Sequence, residues 1–239
     1  MKKNQLLEEY FNERASKDNH RGGYPFVTIS RQPGAGGHML AEAIVERLQE
    51  KSYADLSSGW QVFDQKLCEF VAEEPSVQVS LSSLIREEYH SEIQDIVNAL
   101  LGKYSSQLTV YKKTFEIVRT LAALGKVIIV GRAGNCLTHA MRTGIHIRLV
   151  ASNGTRVKRM MRFLEVDEHE AQITIREQER ESAKLVRNFF GKNIDDPLMY
   201  DVVWNTDTVA IEDIADSVVS MIDRMGHKVL AGGAESSHP

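Results

Sequence analysis

A short apolar segment, followed by a glycine-rich turn and an amphipathic helix, constrains this chain most strongly. Residues 25–29 are typical of a buried strand, residues 30–37 are rich in glycine, and the apolar spacing over residues 39–49 predicts a helix. Glycines after a strand let backbone N–H groups turn toward one point, and the following helix adds the positive end of its dipole there. This unit favours the binding of a phosphate group.

The rest of the chain alternates between apolar strands and helices. The clearest strand is Val127–Val130, a β-branched run between Gly125 and Gly131 that is typical of the centre of a sheet. Five strands separated by helices predict an α/β fold, with a parallel sheet covered by helices on both faces. The other predicted strands cover residues 61–63, 144–150 and 200–204, and the other predicted helices cover residues 1–18, 64–73, 81–101, 108–124, 155–163, 167–189 and 211–225.

The length of 239 residues suits one domain with a small insertion. We expect residues 1–22 to form an N-terminal helix and linker, and residues 23–228 to form the main domain. Residues 75–124 carry no strand signal and are a candidate helical subdomain. The small and polar residues 229–239 are expected to form a disordered tail.

Composition excludes several classes of protein. The hydrophobic fraction of 42% is too high for a disordered chain, and no apolar run approaches the roughly 18 residues needed to span a bilayer. The net charge of -4 argues against a broad nucleic-acid-binding surface. Two cysteines are too few for a disulfide framework, and the first residues lack the apolar centre of a signal peptide. We therefore expect a cytoplasmic protein with no membrane or nucleic-acid partner.

The glycine-rich turn is close to the phosphate-binding pattern G-x-x-x-x-G-K-[ST] but departs from it at three positions. Arg31 stands at the first glycine, Gly37 at the lysine and His38 at the Ser/Thr. The lysine charge and the hydroxyl for Mg²⁺ are therefore both missing. Arg31 is a better substitute for the charge than His38, because a guanidinium is always protonated and forks onto phosphate oxygens. The alternative is a tight turn that only packs the strand against the helix.

Four segments of the chain together carry a family resemblance. The first strand and turn read V-T-I-S-R at residues 27–31 and P-G-A-G-G at residues 33–37. Residues 63–67 read F-D-Q-K-L, residues 127–132 read V-I-I-V-G-R, and residues 200–206 read Y-D-V-V-W-N-T. In this order the segments resemble the cytidylate kinase-like family, a branch of the nucleoside monophosphate kinases whose loop commonly lacks the lysine.

The resemblance implies a P-loop nucleoside monophosphate kinase fold, with a helical acceptor-binding insert at residues 75–124 and a helical lid at residues 153–192. It implies a phosphotransferase that moves the γ-phosphate of ATP to a nucleoside monophosphate, CMP or dCMP first. ATP and Mg²⁺ would be its cofactors, and small nucleotides its partners. The residues implied to hold the donor nucleotide are Ser30, Pro33, Gly34, Ala35, Gly36, Gly37, His38 and Met39 in the turn, with Asn205 and Thr206 near the base.

Two residues at predicted strand ends are candidates for binding the acceptor. Arg132 follows the central strand and suits the acceptor phosphate, because ligands of open parallel sheets bind outside the carboxyl ends of strands. Its alternative role is a surface arginine. Asp64 follows the second strand and either meets the acceptor, holds Mg²⁺ through water, or caps the helix that begins at Gln65. Ala133 stands where the cytidylate kinases proper have Asp, which weakens any recognition of cytosine or ribose by this segment.

Arginines recur at three- to four-residue spacing in the two helices of the lid region, which places them along one side of each helix. We expect at least two of Arg156, Arg159, Arg180 and Arg187 to reach the transferring phosphoryl group. Acidic neighbours such as Glu179 leave the alternative of two solvated, salt-bridged helices.

Competing functions follow from the departures in sequence. A nucleotide-binding module with weak or no catalysis is suggested by the missing lysine, the missing hydroxyl and Ala133. A kinase for another small acceptor is suggested by the helical segment 75–124. For Asn205 and Thr206 the alternative is an ordinary turn before the last helix. The sequence does not identify a metal ligand, because the strand Val127–Val130 is wholly apolar and carries no acidic residue. It also leaves the oligomeric state open.

Overall fold

The structure is a computed structural model, and it describes residues 23–51, 54–64, 66–68, 71, 109–131 and 133–235. Several predictions lie outside these residues. They include the N-terminal helix over residues 1–18, most of the helical insert at residues 75–124, and Arg132.

Five strands alternate with helices along the described chain, and the predicted α/β class is confirmed. The predicted bounds of the second, third and fourth strands agree with the structure, whereas the first and last strands end one or two residues later. The elements are β1 Phe26–Arg31, α1 Gly37–Gln49, α2 Ala54–Ser57, β2 Gln61–Phe63, α3 Thr109–Leu124, β3 Val127–Val130, α4 Gly134–Thr138, β4 Gly144–Val150, α5 Asn153–Leu164, α6 Glu168–Phe190, a 3₁₀ turn at Pro197–Met199, β5 Val202–Asn205 and α7 Ile211–Glu235.

The five strands form one parallel sheet in the order β2-β3-β1-β4-β5. From β1 the chain crosses outward to β2, whereas from β3 it crosses over β1 to β4. The connections thus leave the neighbouring strands β1 and β3 in opposite directions. In open parallel sheets, ligands bind at such a position, outside the carboxyl ends of the strands.

Both faces of the sheet are buried because side chains alternate along each strand. On β1, Val27 and Ile29 belong to a cluster with Ile44 of α1 and with α7. Phe26 points to the other face and packs with Phe115 of α3. The core therefore fixes β1 and its carboxyl end between two helical layers.

The last helix is longer than the sequence predicts. The predicted end is Met225, but α7 continues to Glu235. Gly226 does not end the helix; it permits a close approach, since a Cβ there would lie 2.6 Å from Leu56 Cδ2. The prediction of a disordered tail over residues 229–239 is therefore corrected for residues 229–235, which are helical.

The two helices in the predicted lid region, α5 and α6, are amphipathic rather than uniformly apolar. α5 and α6 each bury three residues in this structure and expose long charged faces. Within the described residues, no helix combines the length and the apolar composition required to cross a membrane.

Candidate functional site

The loop between β1 and α1, residues 32–36, turns sharply through two left-handed glycines. We call it the glycine loop. Gly34 has a φ of 81° and Gly36 a φ of 92°. A Cβ at Gly34 would also lie 2.5 Å from the backbone oxygen of Arg156 on α5. Any other residue at position 34 would combine backbone strain with a collision against backbone atoms.

Helix α1 begins directly after the loop with an uncapped N-terminus. Gly36 is the N-cap residue, no side chain caps the helix, and no acidic residue lies in its first turn. The first N–H groups of a helix have no acceptor within the helix, and they lie at the positive end of its dipole. The backbone N–H groups of Gly37, His38 and Met39 are therefore suited to bind an anion.

Gln32 anchors the glycine loop to the end of β4. Its backbone N–H donates to Leu149 O over 3.0 Å, and its side-chain Oε1 accepts from Ala151 N over 3.1 Å. Ala35 N donates to Gln32 O over 3.0 Å and closes the turn. Sequence reasoning did not select Gln32, because its partners are more than a hundred residues away along the chain.

Thr206 and Arg159 hold the loop from the β5 side. Thr206 is buried, and its hydroxyl donates to Ala35 O over 3.0 Å. Arg159 Nη1 donates to that hydroxyl over 2.8 Å, and Nη2 donates to Thr206 O over 3.1 Å. Nη1 also lies 3.5 Å from Gly34 O. The Thr206 side chain therefore supports the loop.

Asn205 forms an ordinary turn before the last helix, which is the alternative predicted for it. Its side-chain Oδ1 accepts from Asp207 N over 3.0 Å, and its backbone oxygen accepts from Val209 N over 3.1 Å. Asp207 Oδ2 in turn accepts from Ser152 N over 2.7 Å. Hydrogen bonds from Thr155 and Ser152 hold the pKa of the Asp207 carboxyl below its usual range. This turn and the start of α5 are thus tied together beside the loop.

Arg31, the last residue of β1, extends over the start of α1 toward the end of β3. A Cβ at Gly37 would lie 3.1 Å from Arg31 Cγ and 3.2 Å from its Cδ. A Cβ at Gly131 would lie 2.7 Å from Arg31 Nη1. The arginine stem therefore passes over Gly37, and its guanidinium lies against Gly131, at the carboxyl ends of both central strands.

The Asp64 side chain acts as a helix cap, which is one of the alternatives predicted for it. Its Oδ1 accepts from Leu67 N over 2.8 Å, as a helix cap does. Its Oδ2 lies 3.4 Å from Nε2 of His38, in the first turn of α1. The His38 ring also stacks on Phe163 of α5, with ring centroids 6.4 Å apart. His38 therefore lies between the end of β2 and the lid region, next to the loop.

The predicted lid arginines differ in their surroundings. Arg156 is buried, and its Nη1 donates to Glu179 Oε1 of α6 over 2.6 Å. Its Nε is buried without a hydrogen-bond partner among the described residues. Arg180 and Arg187 are exposed on α6, and no hydrogen bond or ion pair joins either to the loop in the described part of the chain. The structure thus brings the side chain of Arg159 and only the backbone of Arg156 to the loop, and it leaves Arg180 and Arg187 in solvent.

A second polar cluster lies on the opposite face of the sheet, and sequence reasoning missed it. Arg148 of β4 is 4% exposed; its Nη1 donates to Ser30 Oγ over 2.9 Å and its Nη2 to Asp195 Oδ1 over 2.6 Å. Ser30 Oγ also lies 3.3 Å from Tyr200 Oη, which donates to Ile194 O over 2.8 Å. Burial raises the pKa of Tyr200. The signal that could have revealed this cluster was an arginine inside an apolar strand.

The Ser30 side chain lies on the face of the sheet that carries Arg148. The sequence assigns it to the donor site, but neighbouring residues of a strand point to opposite faces. Arg31 faces α1 and the loop, whereas Ser30 faces Arg148. The Ser30 side chain therefore does not line the glycine loop.

A model of the cytidylate kinase-like family matches residues 26–208, which is more than half of the chain. The chain belongs to the cytidylate kinase-like family. The match runs from β1 to the turn after β5, so it includes the glycine loop, the lid region and Thr206. The resemblance predicted from the sequence is confirmed.

One sequence relative and one solved structure show how far the similarity of this cytidylate kinase-like protein to other proteins extends. A cytidylate kinase from Sulfolobus acidocaldarius is 30% identical over 113 residues, which are 47% of this chain and 62% of that protein. An uncharacterized protein from Eubacterium ventriosum has a similar structure, with a TM-score of 0.60 and 17% sequence identity. That comparison covers 83% of this chain and 98% of the other chain. At this identity the structural likeness shows the fold alone.

Carboxylates are the candidate ligands for a metal ion in this cytidylate kinase-like chain. Among the described residues, no group of three or more His, Cys, Asp or Glu side chains is arranged to hold a metal ion. Mg²⁺ in phosphate sites is bound through one or two carboxylates, waters and the phosphates themselves, so it does not require such a group. Asp64, at the end of β2 and 3.4 Å from His38, fits the role of such a carboxylate.

Proposed function

We propose that this cytidylate kinase-like protein transfers the γ-phosphate of ATP to a nucleoside monophosphate, with CMP or dCMP as the first candidates. The observation that carries the proposal is the glycine loop, which turns onto the uncapped start of α1. Membership of the family and the similarity to a cytidylate kinase support the choice of reaction and of acceptor.

The donor phosphates would lie at the loop and at the first turn of α1. There the N–H groups of Gly37, His38 and Met39 meet the phosphate oxygens, with the help of the helix dipole. The backbone of Arg156 and the side chain of Arg159 approach the loop from α5.

The reaction requires little covalent work from the protein. A phosphate oxygen of the acceptor bonds to the γ-phosphorus of ATP, the bond to the bridging oxygen breaks, and ADP leaves with that oxygen. No general base is needed, because the attacking phosphate oxygen carries no proton that must be removed. Mg²⁺ supplies neutralisation of the phosphate charge, and Asp64 would hold it through water.

The acceptor would bind on the β2–β3 side of the loop. Asp64 directly follows β2, and in the sequence Arg132 comes next after Gly131, the residue that follows β3. We assign the acceptor phosphate to Arg132 because a guanidinium binds phosphate through paired hydrogen bonds. Arg180 and Arg187 are solvent-exposed on α6 and would reach the phosphoryl group only when the lid helices move.

A cytoplasmic location suits this function. Neither Cys68 nor Cys136 forms a disulfide bond, as is usual for a protein in a reducing compartment.

The experiment that tests the proposal measures ADP formation from MgATP with each of the common nucleoside monophosphates as acceptor. Turnover with CMP or dCMP above the other acceptors supports the proposal. If nucleotides raise the melting temperature but no acceptor yields ADP, the protein is a nucleotide-binding module and the proposal fails. Turnover only with an acceptor that lacks a phosphate would replace the substrate class.

A further inference from the structure

The aliphatic stem of Arg31 packs directly against Gly37. The φ of Gly37 lies outside the left-handed region, so the backbone at this position accepts any L-residue. Its Cα instead faces the Arg31 stem, since a Cβ there would approach Cγ and Cδ to 3.1 and 3.2 Å. A side chain at position 37 and the arginine stem therefore compete for the same space.

The guanidinium end of Arg31 is fitted to a second glycine. Gly131 has a φ of 85°, and a Cβ there would lie 2.7 Å from Nη1 and 3.3 Å from Cζ of Arg31. Gly131 follows β3, and Arg31 ends β1. The arginine thus spans the two neighbouring strands whose connections leave in opposite directions, which is where open parallel sheets bind their ligands.

Position 37 is also the position that carries the lysine in the pattern G-x-x-x-x-G-K-[ST]. The stem of such a lysine would start 3.1 Å from Cγ of Arg31, which is closer than side chains normally pack. A lysine at 37 and an arginine at 31 therefore crowd each other in this backbone, and this chain has the arginine.

We propose that Arg31 replaces the phosphate-binding lysine by entering its space from the end of β1, and that Gly37 and Gly131 provide the room for it. The inference rests on the proposed function, because it assigns the Arg31 guanidinium to the terminal phosphates of the bound ATP. A guanidinium makes paired hydrogen bonds to phosphate oxygens and keeps its charge at every accessible pH.

Two variants of the full chain separate the charge of Arg31 from its position. Arg31→Met keeps a stem over Gly37 and removes the guanidinium. We expect it to weaken the affinity for ATP by about 10- to 100-fold, since a hydrogen-bonded charge on the phosphates is lost. The affinity for AMP, which lacks the terminal phosphates, should not change. Arg224→Met, at an exposed position on α7, is the matched control and should bind ATP as the parent does.

The second variant moves the cation back to its usual position. Arg31→Ala combined with Gly37→Lys empties the space over position 37 and fills it with a lysine. We expect this double variant to bind ATP at least about tenfold more tightly than Arg31→Ala alone. Gly37→Lys alone should weaken ATP binding, because the new side chain meets the arginine stem. Circular dichroism melts of every variant separate loss of binding from loss of folding.

The outcomes distinguish the inference from the proposed function. If the parent transfers phosphate but Arg31→Met binds ATP and AMP as the parent does, the inference is overturned and the function stands. The same holds if the lysine at 37 fails to improve on a folded Arg31→Ala. If the parent binds ATP, loses that affinity with Arg31→Met, and yet transfers no phosphate, the inference stands and the function fails.

Discussion

Arg159 and Thr206 meet through two hydrogen bonds that join the lid region to the end of β5. Nη1 of Arg159 donates to Thr206 Oγ1 over 2.8 Å, and Nη2 donates to Thr206 O over 3.1 Å. The same hydroxyl donates to Ala35 O in the glycine loop. The shape of the loop therefore depends on residues that are far apart in the sequence.

Thr206→Val tests this link. Valine keeps the shape of threonine but removes the hydroxyl, so Ala35 O loses a donor and Arg159 loses an acceptor. We expect the free energy of unfolding to fall by about 1–3 kcal/mol, because Thr206 is buried. Urea unfolding measures this change. Thr208→Val removes an exposed hydroxyl bonded to Asn205 O and should have a smaller effect; equal effects would contradict the assigned role of Thr206.

Gly34→Ala tests the shape of the loop. Alanine at this position suffers from the positive φ, and its Cβ would lie 2.5 Å from the backbone oxygen of Arg156. We expect the loop to shift and nucleotide affinity to be lost, as measured by titration calorimetry with ATP. Gly154→Ala is the control, because a Cβ there meets nothing within 4 Å. Its affinity should not change, and its stability should rise by up to about 1 kcal/mol, since Gly154 lies in a helix. ATP binding by a folded Gly34→Ala variant equal to that of the parent would show that the loop shape is not required.

Asp195→Ala tests the second polar cluster. It removes the carboxylate that pairs with Arg148, whose side chain is 5% exposed, whereas Asp195 is 67% exposed. A buried guanidinium without its partner costs several kcal/mol, but water reaches this pair, so we expect a loss of about 1–2 kcal/mol. Urea unfolding provides the measurement.

The surface pair of Arg47 and Asp216 is the control for that change. Arg47 Nε lies 2.8 Å from Asp216 Oδ1, and the two side chains are 35% and 60% exposed, so the arginine of this pair is far less buried than Arg148. Asp216→Ala should therefore change the stability less than Asp195→Ala. If the order is reversed, the Arg148 pair does not have the assigned structural role.

The pH dependence of stability tests the burial of His146. Its Nδ1 lies 2.8 Å from Thr28 Oγ1, and burial lowers the pKa of the imidazole. The unfolded chain then binds a proton more readily than the folded chain, so stability falls as the pH falls below about 6.5. His146→Asn keeps a polar atom near Thr28 without a titrating ring and should flatten the loss between about pH 7.5 and 5.5. His169→Asn, at an exposed site, should leave the parent profile unchanged; a His146→Asn profile equal to the parent's would contradict the assignment.

The sequence predicts the parts of this fold that depend on local pattern. The strand Val127–Val130 was predicted with its observed bounds, because a β-branched run between glycines has one plausible place in a parallel sheet. The glycine loop and the cap at Asp64 were also recognisable, since both follow directly from the residues beside them.

The residues that sequence reasoning missed act over long distances along the chain. Gln32 is bonded to β4, and Arg148 links Ser30 to Asp195. No local spacing encodes these contacts, because they exist only once the sheet has formed. The sequence predicts that α7 ends too early for a related reason. Gly226 packs against Leu56, a long-range contact, and does not end the helix.

The central claim is that backbone amides of the glycine loop and of the first turn of α1 bind the phosphates of ATP. The most direct test follows the ¹⁵N-labelled amides of Gly34, Gly36 and Gly37 by NMR during titration with MgATP and, separately, with adenosine. We expect large shifts at these three amides with MgATP, little change with adenosine, and none in either titration at Gly125, which precedes β3 at the opposite edge of the sheet. If MgATP binds while the amides of Gly34, Gly36 and Gly37 do not move, the nucleotide lies elsewhere and the account is contradicted.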